Sequence, residues 1–538
     1  MGGVTSTQQH SSATGRADDG SAQDPDPAPE HAYGWSWLAG VVAGLAGLAL
    51  AELVALLAPA GAPLTAVGSW VIAVAPAAVI NFGKEVLGFA DKPILLAVVA
   101  VVALAIAGAS GRLEYARRGL GAIGPVLLAV IVIITVSRQA DAGPLAYLPV
   151  LVGSVLAYLI LRTLITTLHR WDPRRNAPAQ GNRADARRGF LIMTGVITGL
   201  SILAGGVSRV RAGATAAARQ ARSRVRLPDA TTPAEPIPEG ADLGLDGLTP
   251  YVSDNATFYR IDTALQVPVV DPADWSLTIV GMVEREITLS FDDVLALPLS
   301  EHYVTLTCVS NEVGGNLAGN ARWLGFPIRD LLARARPQSG ADMVLSRSVD
   351  GFTAGTPLEV LTDPDRDAVL AIGMNGEPLP PEHGFPARLV VPGLYGYVSA
   401  TKWVTELKVT SFAEDQGYWT PLGWSAHGPI KVASRIDTPS RAVDAGRVPV
   451  AGVAWAQHTG IDRVEVRVDQ GPWREATLAE TVGPDTWRQW TWEWDAEPGQ
   501  HQLMVRATDA DGTTQTSVEA PPAPDGATGW HTVDISVN

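Results

Sequence analysis

The sequence predicts a multi-domain protein: an α-helical transmembrane bundle, then a soluble domain mixing short helices and strands, then a C-terminal antiparallel β-sandwich. Three observations predict this. The 538 residues allow several domains, and 47% hydrophobic against 18% charged residues is too apolar for an ordinary soluble chain. The apolar runs crowd into the first 207 residues, and the last hundred alternate apolar and polar with period two. The formal charge of -15 argues against a nucleic-acid partner, since that affinity comes from Lys and Arg neutralising phosphates. Arg outnumbers Lys by 35 to 5, so a lysine in a motif is the more informative cation.

Residues 1 to 33 are rich in Ser, Asp, Pro, Ala and Gln and are expected to form a disordered acidic tail. Five apolar stretches follow within 34 to 168, near 36 to 58, 66 to 82, 94 to 109, 120 to 136 and 145 to 168. Each is about long enough to cross a bilayer. An Arg-rich loop at 169 to 188 precedes a sixth stretch, spanning 189 to 207 with its apolar run from 190. The basic residues set the orientation, because Lys and Arg in short loops stay cytoplasmic. With that loop inside, inside segments hold nine basic residues and outside segments four, and the acidic tail lies outside. The linker, 208 to 240, resists this scheme: Arg209, Arg211, Arg219, Arg222, Arg224 and Arg226 fall on the outer side.

The run Ala186-Arg187-Arg188-Gly189-Phe190-Leu191 resembles a twin-arginine export signal, which moves folded cargo. An ordinary positive-inside flank accounts for the same residues. None of the nine His falls in the six apolar stretches, so no paired-imidazole haem site is expected and the chain should carry no haem. Glu52 and Arg162 lie near span ends, where long side chains snorkel to the interface.

The soluble domain, 241 to 430, opens with a strand at 276 to 280 and a second at 287 to 289. Ser290 then caps a helix at 291 to 297, with Asp293 as its capping-box partner. A second helix begins with Pro327 at its first position and buries Ile328, Leu331, Leu332 and Ala335. Between the helices lies Cys308, the one cysteine of the chain, where a strand carrying Val304 and Leu306 on the same face runs into the loop Glu312-Val313-Gly314-Gly315-Asn316. It is compatible with a small buried hydrophobe and with a functional thiolate. One cysteine cannot build a structural zinc site. A nucleophilic Cys-His pair with His383 or His302 stays open.

Five segments, in order, resemble the sulfite oxidase family of molybdopterin enzymes. They are Asn255-Ala256-Thr257-Phe258-Tyr259-Arg260, Leu306-Thr307-Cys308-Val309-Ser310-Asn311, Ala321-Arg322-Trp323-Leu324-Gly325-Phe326-Pro327, the run from Leu379 through His383 and Arg388 to Gly393, and Ser399-Ala400-Thr401-Lys402-Trp403. The resemblance implies an α+β molybdopterin domain in which Cys308 supplies a thiolate to molybdenum. A soft thiolate suits such a metal, and only the deprotonated sulfur ligates. It further implies that Asn255 and His383 bind the pterin, and that Arg388, Ser399, Ala400, Thr401 and Lys402 bind the cofactor and its phosphate. The resemblance also implies that Tyr259 and Arg260, with Cys308 the catalytic candidates, contact cofactor or substrate. Singly, Arg388 also reads as an ion pair, His383 as a loop cap, Asn255 as a turn residue and Lys402 as a surface charge.

By resemblance the reaction is a two-electron oxo transfer at molybdenum, on a small oxyanion or sulfoxide-type substrate. Two departures weaken sulfite. Glu312 and Val313 stand where relatives carry basic residues, and Trp424 stands near the position of their tyrosine. Arg260 and Arg322 remain as oxyanion binders. With no haem domain, electrons are expected to pass through a separate partner.

From 431 to 538, strands at 448 to 453, 463 to 468, 490 to 494 and 501 to 507 alternate with turns such as Asp469-Gln470-Gly471. The segments Val453-Ala454-Trp455, Asp469-Gln470-Gly471-Pro472-Trp473 and Val505-Arg506-Ala507-Thr508-Asp509 resemble the immunoglobulin-like dimerisation domain of that family, which implies a homodimer. The expected product is an enzyme of the cytoplasmic membrane with its catalytic domain outside. The rivals are a cofactor-free membrane-anchored binding protein with a degenerate catalytic domain, and a transporter carrying a substrate receptor.

Overall fold

The computed structural model describes residues 32–55, 61–75, 91–138, 143–172, 183–208, 220–264 and 267–538. Nearly all of the acidic tail, half of the Arg-rich loop with Arg174 and Arg175, and the linker arginines Arg209, Arg211 and Arg219 lie outside the described residues. The chain divides into two units, Met1–Leu57 with Ala100–Val132 and Tyr147–Ala204, and Ala58–Val99 with Ile133–Ala146 and Gly205–Asn538.

The apolar stretches fold as helices α1 (Ala32–Val54), α2 (Pro63–Val74), α3 (Asp91–Ala116), α4 (Ile123–Ser137), α5 (Leu148–Trp171) and α6 (Arg183–Ser208). Among the described residues five segments are long and apolar enough to cross a bilayer: Ala32–Val54, Ile94–Ala116, Leu120–Ser137, Pro144–Trp171 and Asp185–Leu203. The stretch at 66 to 82 differs. Among the described residues it contributes the 12-residue α2, which by itself is too short to span, and residues 76–82 lie outside them. His169 also departs from expectation, because α5 continues to Trp171 and takes this imidazole into its last turn, 3.2 Å from the Tyr115 carbonyl. Within the first unit α1 crosses α5 through small residues: a Cβ on Gly47 would stand 2.5 Å from the Gly153 carbonyl. Such contacts let helix backbones approach where lipid supplies no hydrophobic drive.

The soluble part of the second unit begins with β1 (Ser276–Gly281), β2 (Ile287–Ser290) and α7 (Phe291–Leu295). The Ser290/Asp293 capping box is present, although the helix stops two residues short of the expected 297. Then come β3 (Ser300–Thr307), β4 (Ala318–Pro327) and α8 (Ile328–Ala335). Pro327 is the N-cap of α8 rather than its first residue, and the buried face is Ile328, Leu331, Leu332 and Ala335. Next are β5 (Met343–Ser348), β6 (Thr353–Pro357), α9 (Leu358–Thr362), β7 (Val369–Met374), β8 (Glu377–Pro378), β9 (Arg388–Val390), α10 (Gly396–Ser399) and β10 (Val404–Thr410).

These strands make two sheets. One has the order β2-β1-β10-β5-β6, with β1 parallel to β10; the other runs β3-β4-β7-β8, with β9 also on β7. Leu277, Ile279, Leu331, Leu370, Leu389 and Leu407 belong to a core that joins both.

The C-terminal part adds β11 (Ala433–Thr438), β12 (Gly446–Trp455), β13 (Ile461–Val468), β14 (Arg474–Glu475), β15 (Thr477–Leu478), β16 (Arg488–Ala496), β17 (Gly499–Asp509) and β18 (His531–Val537). Two four-stranded antiparallel sheets, β11-β12-β16-β15 and β14-β13-β17-β18, enclose Val450, Trp490, Val464, Leu503 and Val505. Sequence alternation missed the edge strands β11, β14, β15 and β18. β11 has few apolar residues, β14 and β15 are two residues long, and β18 alternates at Val533, Ile535 and Val537 yet is absent from the strands expected above. This part docks on the free edge of β3: Thr305 N–H donates to Asp485 O at 2.9 Å, and Trp487 N–H donates to Thr305 Oγ1 at 2.8 Å.

Candidate functional site

β3 ends at Thr307, so Cys308 emerges at the mouth of the strand, where it is buried. Its loop is tied into a fixed shape. Cys308 N–H donates to Leu317 O, Asn311 N–H to Cys308 O, and Leu317 N–H to the Asn311 side chain at 2.7 Å. The Ser310 N–H points at Cys308 Sγ, 3.4 Å away, a donor that favours the thiolate. From the C-terminal part, Gln457 Nε2 donates to Thr307 Oγ1 at 2.8 Å and Arg435 donates to Gly315 O at 2.7 Å.

Cys308 faces a cavity with about 910 Å³ of free space, its open mouth included. Tyr259, His383, Arg388, Ala400 and Lys402 share it, so five further sequence-predicted residues converge there. The others do not line it. Asn255 stands behind His383, whose Nε2 lies 3.0 Å from Asn255 O; a carbonyl only accepts, so Nε2 carries the proton and Nδ1 of the neutral ring is an acceptor. Burial, with Lys402 and Arg388 nearby, pushes His383 down to about 3, which keeps it neutral. The Ser399 hydroxyl donates to Tyr395 O at 2.9 Å and that of Thr401 pairs with Ser346 at 2.7 Å, so both serve the fold. Arg260 turns to Asp262 at 2.9 Å, and Arg322 pairs with Glu301 at 3.5 Å away from the cavity. Neither arginine is a cavity-lining oxyanion binder.

Two buried cations line the cavity with unlike partners. Arg388 donates only to carbonyls, those of Leu389, His383 and Ala400, and its guanidinium lies 5.1 Å from the Trp323 ring centre. No carboxylate pairs with it among the described residues, which removes the ion-pair reading. Burial lowers it to about 10. A buried guanidinium with spare N–H donors and no counter-ion is prepared for an anion. Lys402 is paired, 2.8 Å from Asp262 Oδ2, and also donates to Glu382 O. Burial brings it down to about 8 against the pull of Asp262. The next residue, Trp403, is left-handed at φ 52°, strain of order 1 kcal/mol that neighbouring packing must hold.

Tyr259 is pushed upward by burial and by the Cys308 thiol, so its phenol stays protonated. Asp262 and Asp350 are cavity carboxylates that sequence reasoning missed; the Arg260-Ile261-Asp262 spacing was the one available signal. Asp350 is pushed up by burial although Ser348, Phe352 N–H and Thr263 hydrogen-bond it. Phe352, Tyr397, Trp403, Trp419 and Trp424 form an aromatic wall, so Trp424 does stand in the cavity. Glu312 and Val313 instead line a separate cleft with Lys431 and Asp509. They therefore say little about what meets Cys308.

A soft sulfur, an unpaired guanidinium and neutral hydrogen-bonding groups around one cavity are groups that could hold a metal and an anionic organic group. Residues 264–419 match the sequence model of the oxidoreductase molybdopterin binding domain, and the chain belongs to the sulfite oxidase family of molybdopterin oxidoreductases. It is 34% identical over 158 residues to the uncharacterized oxidoreductase YuiH of Bacillus subtilis, covering 29% of this chain and 76% of that one. It is 31% identical over 340 residues to mitochondrial sulfite oxidase of Mus musculus, covering 54% of this chain. The match spans 60% of the mouse protein's length. Among solved structures, the sulfane dehydrogenase SoxCD of Paracoccus pantotrophus aligns with TM-score 0.46 and 22% identity, over 54% of this chain and 82% of that one.

Proposed function

We propose that the chain is a membrane-anchored molybdenum-molybdopterin oxidoreductase that carries out two-electron oxo transfer outside the cytoplasmic membrane. The observation that carries this is the convergence of the Cys308 thiol with the carboxylate-free Arg388 on one cavity. In this reading Cys308 ligates molybdenum, Arg388 and Lys402 hold the phosphate, and His383, oriented by Asn255, contacts the pterin. Backbone groups at Ser399, Ala400 and Thr401 complete the cradle. The bound metal supplies the redox chemistry. The protein's residues hold the thiolate with the Ser310 amide, keep Tyr259 protonated as a donor, and exclude water behind the aromatic wall.

For the substrate, the cavity favours a sulfoxide-type molecule over a small oxyanion. Arg388 and Lys402 are the cations on its wall among the described residues; both are committed to the cofactor in this reading, and Lys402 is in addition paired with Asp262. The aromatic rings suit an apolar substituent. Further parts of the proposal are a separate electron-transfer partner, folding before export through Arg187 and Arg188, retention by the apolar helices, and an immunoglobulin-like C-terminal domain that supports a homodimer. The proposed limits are 34–168 and 189–207 for the apolar helices, 241–430 for the catalytic domain and 431–538 for the C-terminal domain.

The test is metal and pterin analysis of the purified full chain beside Cys308→Ser, with sulfoxide and sulfite turnover assayed in both. The expected result is stoichiometric molybdenum and pterin in the wild type and molybdenum-dependent turnover lost in the variant. Equal molybdenum-dependent activity in both proteins refutes the assignment.

A further inference from the structure

Ser300 and His302 occupy the other end of β3, two residues apart and so on one face of the strand. His302 is six residues from Cys308, roughly 20 Å along an extended chain. Ser300 Oγ lies 2.8 Å from His302 Nε2, and His302 Nδ1 lies 2.8 Å from Asp367 Oδ2, in the loop before β7. A carboxylate only accepts, so Nδ1 carries the proton. Nε2 of the neutral ring then accepts from the Ser300 hydroxyl. That is the tautomer and the order of contacts in which a histidine activates a serine while an aspartate orients it. The hydrogen bond from His302 also holds the Asp367 carboxyl below its usual range.

Ser300 and His302 line an open groove with Thr231, Thr232, Phe326 and Arg329. The first turn of α8 contributes Arg329 and Asp330 to that groove, and its N-terminus has no side-chain cap. Ile328 N–H is spent on Ala368 O at 2.9 Å, so only the following amides of that turn, which have no intrahelical acceptor, are left to serve a developing oxyanion. The Cys308 cavity shares none of these residues.

We propose that Ser300, His302 and Asp367 are a second, hydrolytic site that cleaves small carboxylic esters. Ser300 Oγ bonds to the ester carbonyl carbon while its proton passes to His302 Nε2. The ester C–O bond breaks, and the leaving alcohol takes that proton. Water then attacks the acyl-serine, again through His302, and releases the acid and free Ser300 with no net redox change. This site does not depend on the molybdenum reading.

The test treats the detergent-solubilised full chain with a fluorophosphonate probe, maps the adduct by peptide mass spectrometry, and assays p-nitrophenyl acetate hydrolysis. The expected adduct is on Ser300. Ser300→Ala and His302→Ala should each lose at least about a hundredfold in hydrolysis while keeping the wild-type melting temperature. Failure of the wild-type protein to be labelled at Ser300 by excess probe overturns the proposal, whatever the variants do. So does wild-type hydrolysis by folded Ser300→Ala, which would make the three residues a structural tie between β3 and the loop before β7.

Discussion

Lys402 Nζ and Asp262 Oδ2 stand 2.8 Å apart, both almost wholly buried, in the wall of the Cys308 cavity. The same oxygen also accepts from Arg260 at 2.9 Å, so one carboxylate holds two cations. Asp262→Asn would leave an ammonium buried without its counter-ion. Breaking such a pair from one side costs about 3–5 kcal/mol. A large fall in the denaturant midpoint is expected for Asp262→Asn, and a smaller one for Lys402→Met, which removes the charge that needs compensation. Equal effects would show that Asp262 acts mainly through Arg260.

Acid should destabilise the soluble part early. Burial depresses His383 to about 3, and burial with Arg435 nearby depresses His531 to about 4. Both titrate near 6.5 when unfolded, so below that pH the unfolded chain binds protons that the folded chain refuses. Stability therefore falls as pH drops from about 6.5 toward 4, at up to about 1.4 kcal/mol per pH unit for each histidine. Melting temperatures recorded across that range should flatten in His531→Gln. An unchanged slope would assign the acid lability to other groups.

The cysteine loop should depend on the C-terminal part. Gly314 has φ 75°, and a Cβ there would collide with the His531 ring, while Arg435 donates to Gly315 O and Gln457 donates to the Thr307 hydroxyl and to Thr305 O. Gly314→Ala combines a left-handed backbone, about 1–2 kcal/mol, with that clash. It is expected to lower the melting temperature of the full chain and its retained molybdenum together. Gln457→Ala should lower molybdenum retention with a smaller loss of stability, since it frees Thr307 beside the cysteine without a steric conflict.

Much of this site was legible because its residues are rare in the chain or sit in ordered motifs: Cys308 is the sole thiol and Lys402 one of five lysines. His383 and Arg388 followed from the same ordered segments. Motif position does not say which way a side chain turns, and there the geometry parts from the expectation. Ser399 and Thr401 spend their hydroxyls on Tyr395 and Ser346, and Arg322 points to Glu301. Asp350 sits in a tight turn after β5, a place where aspartate ordinarily faces water, and nothing local marks it as half-buried in the cavity wall. In the fold, the alternation of β12, β13, β16 and β17 was readable, whereas β11 is specified by pairing with β12 rather than by its own pattern.

Asp350 offers a test of how the cavity treats charge. Thr263, Ser348 and the Phe352 amide all favour its carboxylate, yet burial outweighs them and its carboxyl is held above the usual range, with Asp262 adding repulsion. A carboxyl raised on folding contributes its full stability when protonated, below its unfolded pKa, and loses it as pH rises through the folded value. At neutral pH the folded state thus bears the cost of a desolvated charge. Asp350→Asn keeps the shape and most hydrogen bonds while removing that charge. The variant is expected to melt higher than wild type at pH 7 and to lose its advantage toward pH 4. A variant that melts lower at both pH values would show that the accepted hydrogen bonds outweigh desolvation, and that the carboxylate is comfortable where it sits.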